Sequence, residues 1–127
     1  MAEPVIVDLI TPTYGGTGGH IVIGCGANSS GGMAIGACSY AGQNTSMAIG
    51  NGASAGDCGG VSVGYGAYAD SNSVAVGMQA FCQGENSIVI GAGGCADSAD
   101  TITFGFGSCG SVTVPGAKFR EWLRSIS

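Results

Sequence analysis

Side chains able to do chemistry are few in this chain, and they are poorly grouped. His20 is the sole histidine, so a site built on several imidazoles has no material. It stands where equivalent segments place Ser, Gly or Thr, which gives it a structural role. The six cysteines, Cys25, Cys38, Cys58, Cys82, Cys95 and Cys109, contain no C-x-x-C pair, so no zinc or iron–sulfur site within one chain is expected. Asp57, Asp70, Asp97 and Asp100 are the aspartates of the central region. Calcium-binding Gly-Asp rolls repeat about every nine residues with an aspartate in each turn. This chain has neither feature, so turn formation is the expected role. No Ser/His/Asp order or phosphate-binding loop is present. No catalytic residue, metal or cofactor is assigned, and a non-enzyme is expected.

The elements that carry these residues follow from a composition unlike that of an ordinary globule. Twenty-six glycines stand beside 45% hydrophobic and only 9% charged residues. That is too apolar for a disordered linker and too rich in glycine for helices. Residues 1–117 hold seven acids and no Lys or Arg, while Lys118, Arg120 and Arg124 crowd into the last ten positions. A chain so poor in cations makes a poor nucleic-acid binder. No apolar run approaches the roughly 18 residues of a membrane span, and "MAEPVIVDLI" lacks a basic signal-peptide start, so a soluble chain not exported by the general route is expected.

A repeat organises the chain. Gly24, Gly36, Gly50, Gly64, Gly77, Gly91 and Gly105 each end an apolar triplet, at spacings of 12, 14, 14, 13, 14 and 14. Three residues before each glycine stand Ile21, Met33, Met47, Val61, Val74, Ile88 and Ile102. One residue before stand Ile23, Ile35, Ile49, Val63, Val76, Ile90 and Phe104. Alternate residues of a strand share a face, so these fourteen are expected to line the interior. Between them lie the smaller Val22, Ala34, Ala48, Ser62, Ala75, Val89 and Thr103. On the opposite face, they are the candidate contact with neighbouring chains.

After each glycine, positions +3 and +5 are small: Ala27 and Ser29, Ser39 and Ala41, Ala53 and Ala55, Ala67 and Ala69, Ala80 and Cys82, Gly94 and Ala96, Ser108 and Gly110. Each period reads as strand, glycine bend, short strand and loop. Stacked coils make an all-β parallel roll, or β-solenoid, of about seven 12–14-residue coils over residues 20–114. Cys95 and Cys109 share one coil position, four after the glycine. Stacked about 4.8 Å apart they would meet the distance window of a disulfide; free thiols acting as small apolar residues are the favoured state.

"SMAIGNGASAG", "SVAVGMQAF" and "SIVIGAGGCA" resemble the head repeats of trimeric bacterial autotransporter adhesins, over about residues 20–110. The resemblance implies a left-handed roll assembled as a homotrimer. Similar rolls occur in phage fibres, and "ITPTYGGTGGH" resembles the Gly-Gly-Thr-Gly segment of phage tail fibres. A surface adhesin also carries an export signal and a stalk, which are not seen here.

Residues 1–19 read as an extended arm and linker. Val5, Ile6, Val7, Leu9 and Ile10 are the candidates for covering the roll's lower end or docking onto a larger partner. Residues 115–127 read as a helix with Phe119, Trp122, Leu123 and Ile126 on one face, capping the last coil. The expected function is structural: a phage virion component assembled in the host cytoplasm, a trimeric capsid decoration (cement) or short head or tail fibre protein held by its arm. Its partners would be copies of itself and a major capsid or tail protein, with no nucleic acid and no membrane. The alternative is a fibre tip or adhesin head recognising a host-surface receptor, glycan or protein. Tyr40, Tyr65, Tyr68 and Phe81 lie in or near the bends as sugar platforms, although they are read as not sharing one coil position.

Overall fold

A computed structural model describes residues 21–126, apart from Asn44, Asp57 and the side chain of Cys109. The arm residues Val5, Ile6, Val7, Leu9 and Ile10, and His20, lie outside the described residues. Each coil gives a three-residue and then a two-residue strand. These are β1 (Ile21–Ile23) and β2 (Asn28–Ser29), β3 (Met33–Ile35) and β4 (Tyr40–Ala41), β5 (Met47–Ile49) and β6 (Ser54–Ala55), β7 (Val61–Val63) and β8 (Tyr68–Ala69), β9 (Val74–Val76) and β10 (Phe81–Cys82), and β11 (Ile88–Ile90) and β12 (Cys95–Ala96). The odd-numbered strands pair in parallel as one sheet and the even-numbered strands as another. The chain is a β-solenoid of six complete coils.

The seventh period departs from the expected coil. Its first strand, β13 (Thr101–Gly105), stacks in parallel on β11. A 3-10 turn at Gly107–Cys109 then replaces the second short strand, and β14 (Ser111–Pro115) returns antiparallel along β13. Ser108 and Gly110 therefore do not join the small-residue face. The long sheet has eight strands, ending β11-β13-β14, and the short sheet has six.

The bends are built from glycine backbones in near contact. Gly50 has a φ of +134°, and a Cβ added there would lie 2.5 Å from the Gly64 carbonyl oxygen of the next coil. Gly24, Gly36, Gly64, Gly77 and Gly91 repeat this positive φ and close approach, whereas Gly105, where the winding stops, has no positive φ. The opposite corner explains the recurring Asn-Ser. Asn72 and Asn86 take a left-handed φ of 56°, a conformation Asn tolerates better than most residues. The serine that follows each turns inward: Ser73 Oγ donates to the Gly84 carbonyl at 2.7 Å, and Ser87 Oγ to the Ser98 carbonyl at 3.0 Å.

The interior reverses the expected arrangement of the long strands. Ala34, Ala48, Ser62, Ala75, Val89 and Thr103 are buried, with Val22 half-buried at the first rung. They face Ala41, Ala55, Ala69, Cys82 and Ala96 of the short sheet, which are buried as expected. Ile21, Ile23, Met33, Ile35, Met47, Ile49, Val61, Val63, Val74, Val76, Ile88, Ile90, Ile102 and Phe104, expected inside, all point outward, half-buried or exposed. The cause is volume. Two strands joined by one glycine bend lie too close together for two large side chains per rung, so nothing bulkier than Val89, Thr103 or Cys82 fits between them.

Two stability predictions follow from this geometry. Gly50→Ala must displace the backbone of the next coil, so a loss of more than about 2 kcal/mol is expected in denaturant melts. Ser62 Oγ is buried without a hydrogen-bond partner among the described residues, between Ala48 and Ala75 at the adjacent rungs. Ser62→Ala should therefore raise stability by about 1 kcal/mol, measured the same way.

Candidate functional surfaces

The outward rows of the long sheet form a continuous wall. Parallel register stacks Ile21 on Met33, Met47, Val61, Val74, Ile88 and Ile102, and Ile23 on Ile35, Ile49, Val63, Val76, Ile90 and Phe104. The antiparallel strand β14 extends both rows, pairing Val114 with Ile102 and Val112 with Phe104. Eight rungs about 4.8 Å apart give a strip about 34 Å long without a charged side chain. Ile90 is 47% exposed and Phe104 38%. The candidate contact surface is thus the wall of large residues and not the row from Val22 to Thr103, which is interior.

The C-terminal helix α1 (Gly116–Ser125) forms where predicted, but its apolar face does not cap the coils. Trp122 is 59% exposed and Ile126 65%, Leu123 is exposed as well, and Phe119 is half-buried beside Trp122. What covers the last rung of the long sheet is β14. The helix packs against β14 and leaves its apolar stripe outward, a second surface with the same character as the wall.

The short sheet carries an outward row of different chemistry. Register aligns Asn28, Tyr40, Ser54, Tyr68, Phe81 and Cys95 at successive rungs. Three of the four aromatics read as scattered therefore share one position, four residues after the bend glycine, and only Tyr65 sits apart at a bend. The uneven 12-to-14-residue period hides this alignment unless residues are counted from each glycine. Tyr68 and Phe81 stack with ring centroids 4.9 Å apart and planes inclined by 19°.

The disulfide considered between Cys95 and Cys109 is not formed. Cys95 is a free thiol whose Sγ donates to Asp97 Oδ1 at 3.3 Å, and Cys109 leaves the parallel register in the 3-10 turn. Partial burial, and then the Asp97 carboxylate, push the Cys95 thiol above its ordinary range. Asp70 and Asp100 serve the turns: Asp70 Oδ1 accepts from the Ser71 N–H at 2.7 Å, and Asp100 takes a left-handed φ of 59°. Among the described residues no three His, Cys, Asp or Glu side chains could together hold a metal ion, and no helix is long and apolar enough to cross a membrane. No family model, curated protein or solved structure matches the chain.

Burial divides the thiols. Cys25, Cys38, Cys58 and Cys95 are exposed; Cys82 is buried, and burial pushes its thiol up despite a hydrogen bond from Ser73. A brief maleimide pulse on the native protein should label these four, Cys95 more slowly because its thiol is pushed up, and spare Cys82 until denaturant is added. The folded state favours protonated Cys82, so its contribution to stability is complete below the ordinary thiol value of 9.0 and is lost as pH rises beyond it. Melting temperature should fall above pH 9.0, and Cys82→Ala should flatten that fall.

Proposed function

We propose that this chain is a structural, non-enzymatic protein that works as a homotrimer, its copies meeting through the outer wall of the long sheet. The carrying observation is the uncharged strip of Ile, Val, Met and Phe left uncovered on an otherwise well-satisfied solenoid. Soluble chains rarely expose apolar surface that is continuous over such a length unless it is an interface. The wall repeats the same two rows at every rung, so copies arranged about an axis parallel to the stack would meet rung to rung in register. That is closed cyclic symmetry. The number three comes from the resemblance to trimeric adhesin heads.

Within that reading the trimer is a bacteriophage virion component, a capsid decoration or short fibre protein whose partner is a major capsid or tail protein. Support comes from the resemblance of the repeats to phage-fibre rolls and from the Gly-Gly-Thr-Gly segment near residue 17. Such a protein acts by bridging and stiffening, with no bond made or broken.

Sedimentation equilibrium of the purified chain should give three times the 12.3 kDa chain mass. Val63→Glu, which places a carboxylate in the middle of the wall, should shift the species to monomer. A monomeric wild type, or a Val63→Glu protein that stays trimeric, would refute assembly through this face. The virion assignment is checked by the copy number of the chain in purified particles, which should be a multiple of three; its absence from them would sink that assignment.

A further inference from the structure

The outward row of the short sheet contains a gap with aromatic walls. Tyr40, Ser54 and Tyr68 occupy consecutive rungs in register, so the two tyrosines stand two rungs apart, about 10 Å, with only a serine between them. Just above, Tyr68 and Phe81 fill adjacent rungs and stack at 4.9 Å. The row is an aromatic ladder with one ring left out at Ser54. Because Tyr68 lies nearly parallel to Phe81, its other face turns toward that missing rung. Two rungs at this spacing leave room for about one further ring over Ser54.

We propose that this slot binds a single neutral pyranose ring, as part of a glycan, edge-on between Tyr40 and Tyr68. A pyranose presents C–H groups on its faces and hydroxyls around its edge. The slot offers an aromatic face, the Ser54 hydroxyl below and two phenolic hydroxyls able to donate and accept at the rim. Charge selects the class of ring. All three cations of the chain lie at Lys118, Arg120 and Arg124 in α1, and the net charge is −5. A nucleotide, sialylated or phosphorylated ligand would find no counter-charge at this row, whose nearest charged neighbour in sequence is Asp70. Tyr40 is 42% exposed and Phe81 37%, so the row is open to solvent. It lies on the sheet opposite the apolar wall, so the site does not depend on assembly through that wall.

The test is an array of neutral, sialylated and phosphorylated oligosaccharides probed with the full chain and two variants. Ser54→Tyr should complete the ladder, as Tyr68 and Phe81 show that adjacent rungs accept two rings. Ser54→Ala leaves the slot open. Wild type should retain neutral glycans, Ser54→Ala, which removes one hydroxyl of the site, should weaken them a few-fold, and Ser54→Tyr should lose them at least about tenfold. Both variants should keep wild-type mass and circular dichroism. Retention of no glycan, retention of acidic glycans only, or undiminished binding by Ser54→Tyr would each overturn the proposal. The oligomeric mass, read on the same samples, reports separately on the wall.

Discussion

The constraint on which the rest depends is the closeness of successive glycine backbones at the bend. Gly24, Gly36, Gly50, Gly64 and Gly77 each leave only 2.5–2.6 Å between a would-be Cβ and the glycine of the next coil. That contact stacks the bends, and within each coil the glycine turn closes tightly, the Ala53 N–H donating to the Gly50 carbonyl at 3.1 Å, which brings the two strands together and keeps the interior thin. A thin interior admits Ala, Ser, Cys and at most Val or Thr, so every large apolar residue of the long strands must turn outward. The composition of the surface is thus decided by the backbone packing of the corners.

Such a core stabilises weakly by burial alone, because a methyl group removes little area from water. The backbone compensates by regularity, since each coil exchanges hydrogen bonds with its neighbours in a recurring pattern, as Tyr40 N–H donates to Ala53 of the next coil and Gly50 N–H to Ile35 of the preceding one. At the corner Ser73 donates to the Gly84 carbonyl, while Ser87 and Thr101 both donate to that of Ser98. Among the described residues only Ser62 breaks the pattern of satisfied interior hydroxyls. Much of the apolar stabilisation available to this sequence lies on the outer wall and the helix, where it is gained only on association.

Periodicity, bend glycines, the small-residue face at +3 and +5, and the C-terminal helix were legible in the sequence, because each follows from local spacing. The direction of the triplets was not. Ile-Val-Ile or Met-Ala-Ile alternates equally well with either parity, and choosing the larger residues as core assumes that a chain buries its own apolar groups. That assumption fails when the coil is narrower than the side chains. The last coil misled for a related reason: Cys109 and Gly110 continue the period in spacing, while Gly107 and Gly110, both at positive φ, reverse the chain. The aromatic row was within reach of the sequence, since Tyr40, Tyr68 and Phe81 each stand four residues after a bend glycine.

The antiparallel return of β14 gives the molecule a terminus that its repeats lack. Every other junction in the long sheet is parallel and, in principle, open to one more coil of the same kind. β14 reverses direction and ends in Pro115, which has no N–H to offer a further strand. In the vocabulary of polymer chemistry it is an end group. The ladder beneath can be lengthened or shortened by whole coils without altering its cross-section, while this finished edge resists head-to-tail growth into a filament.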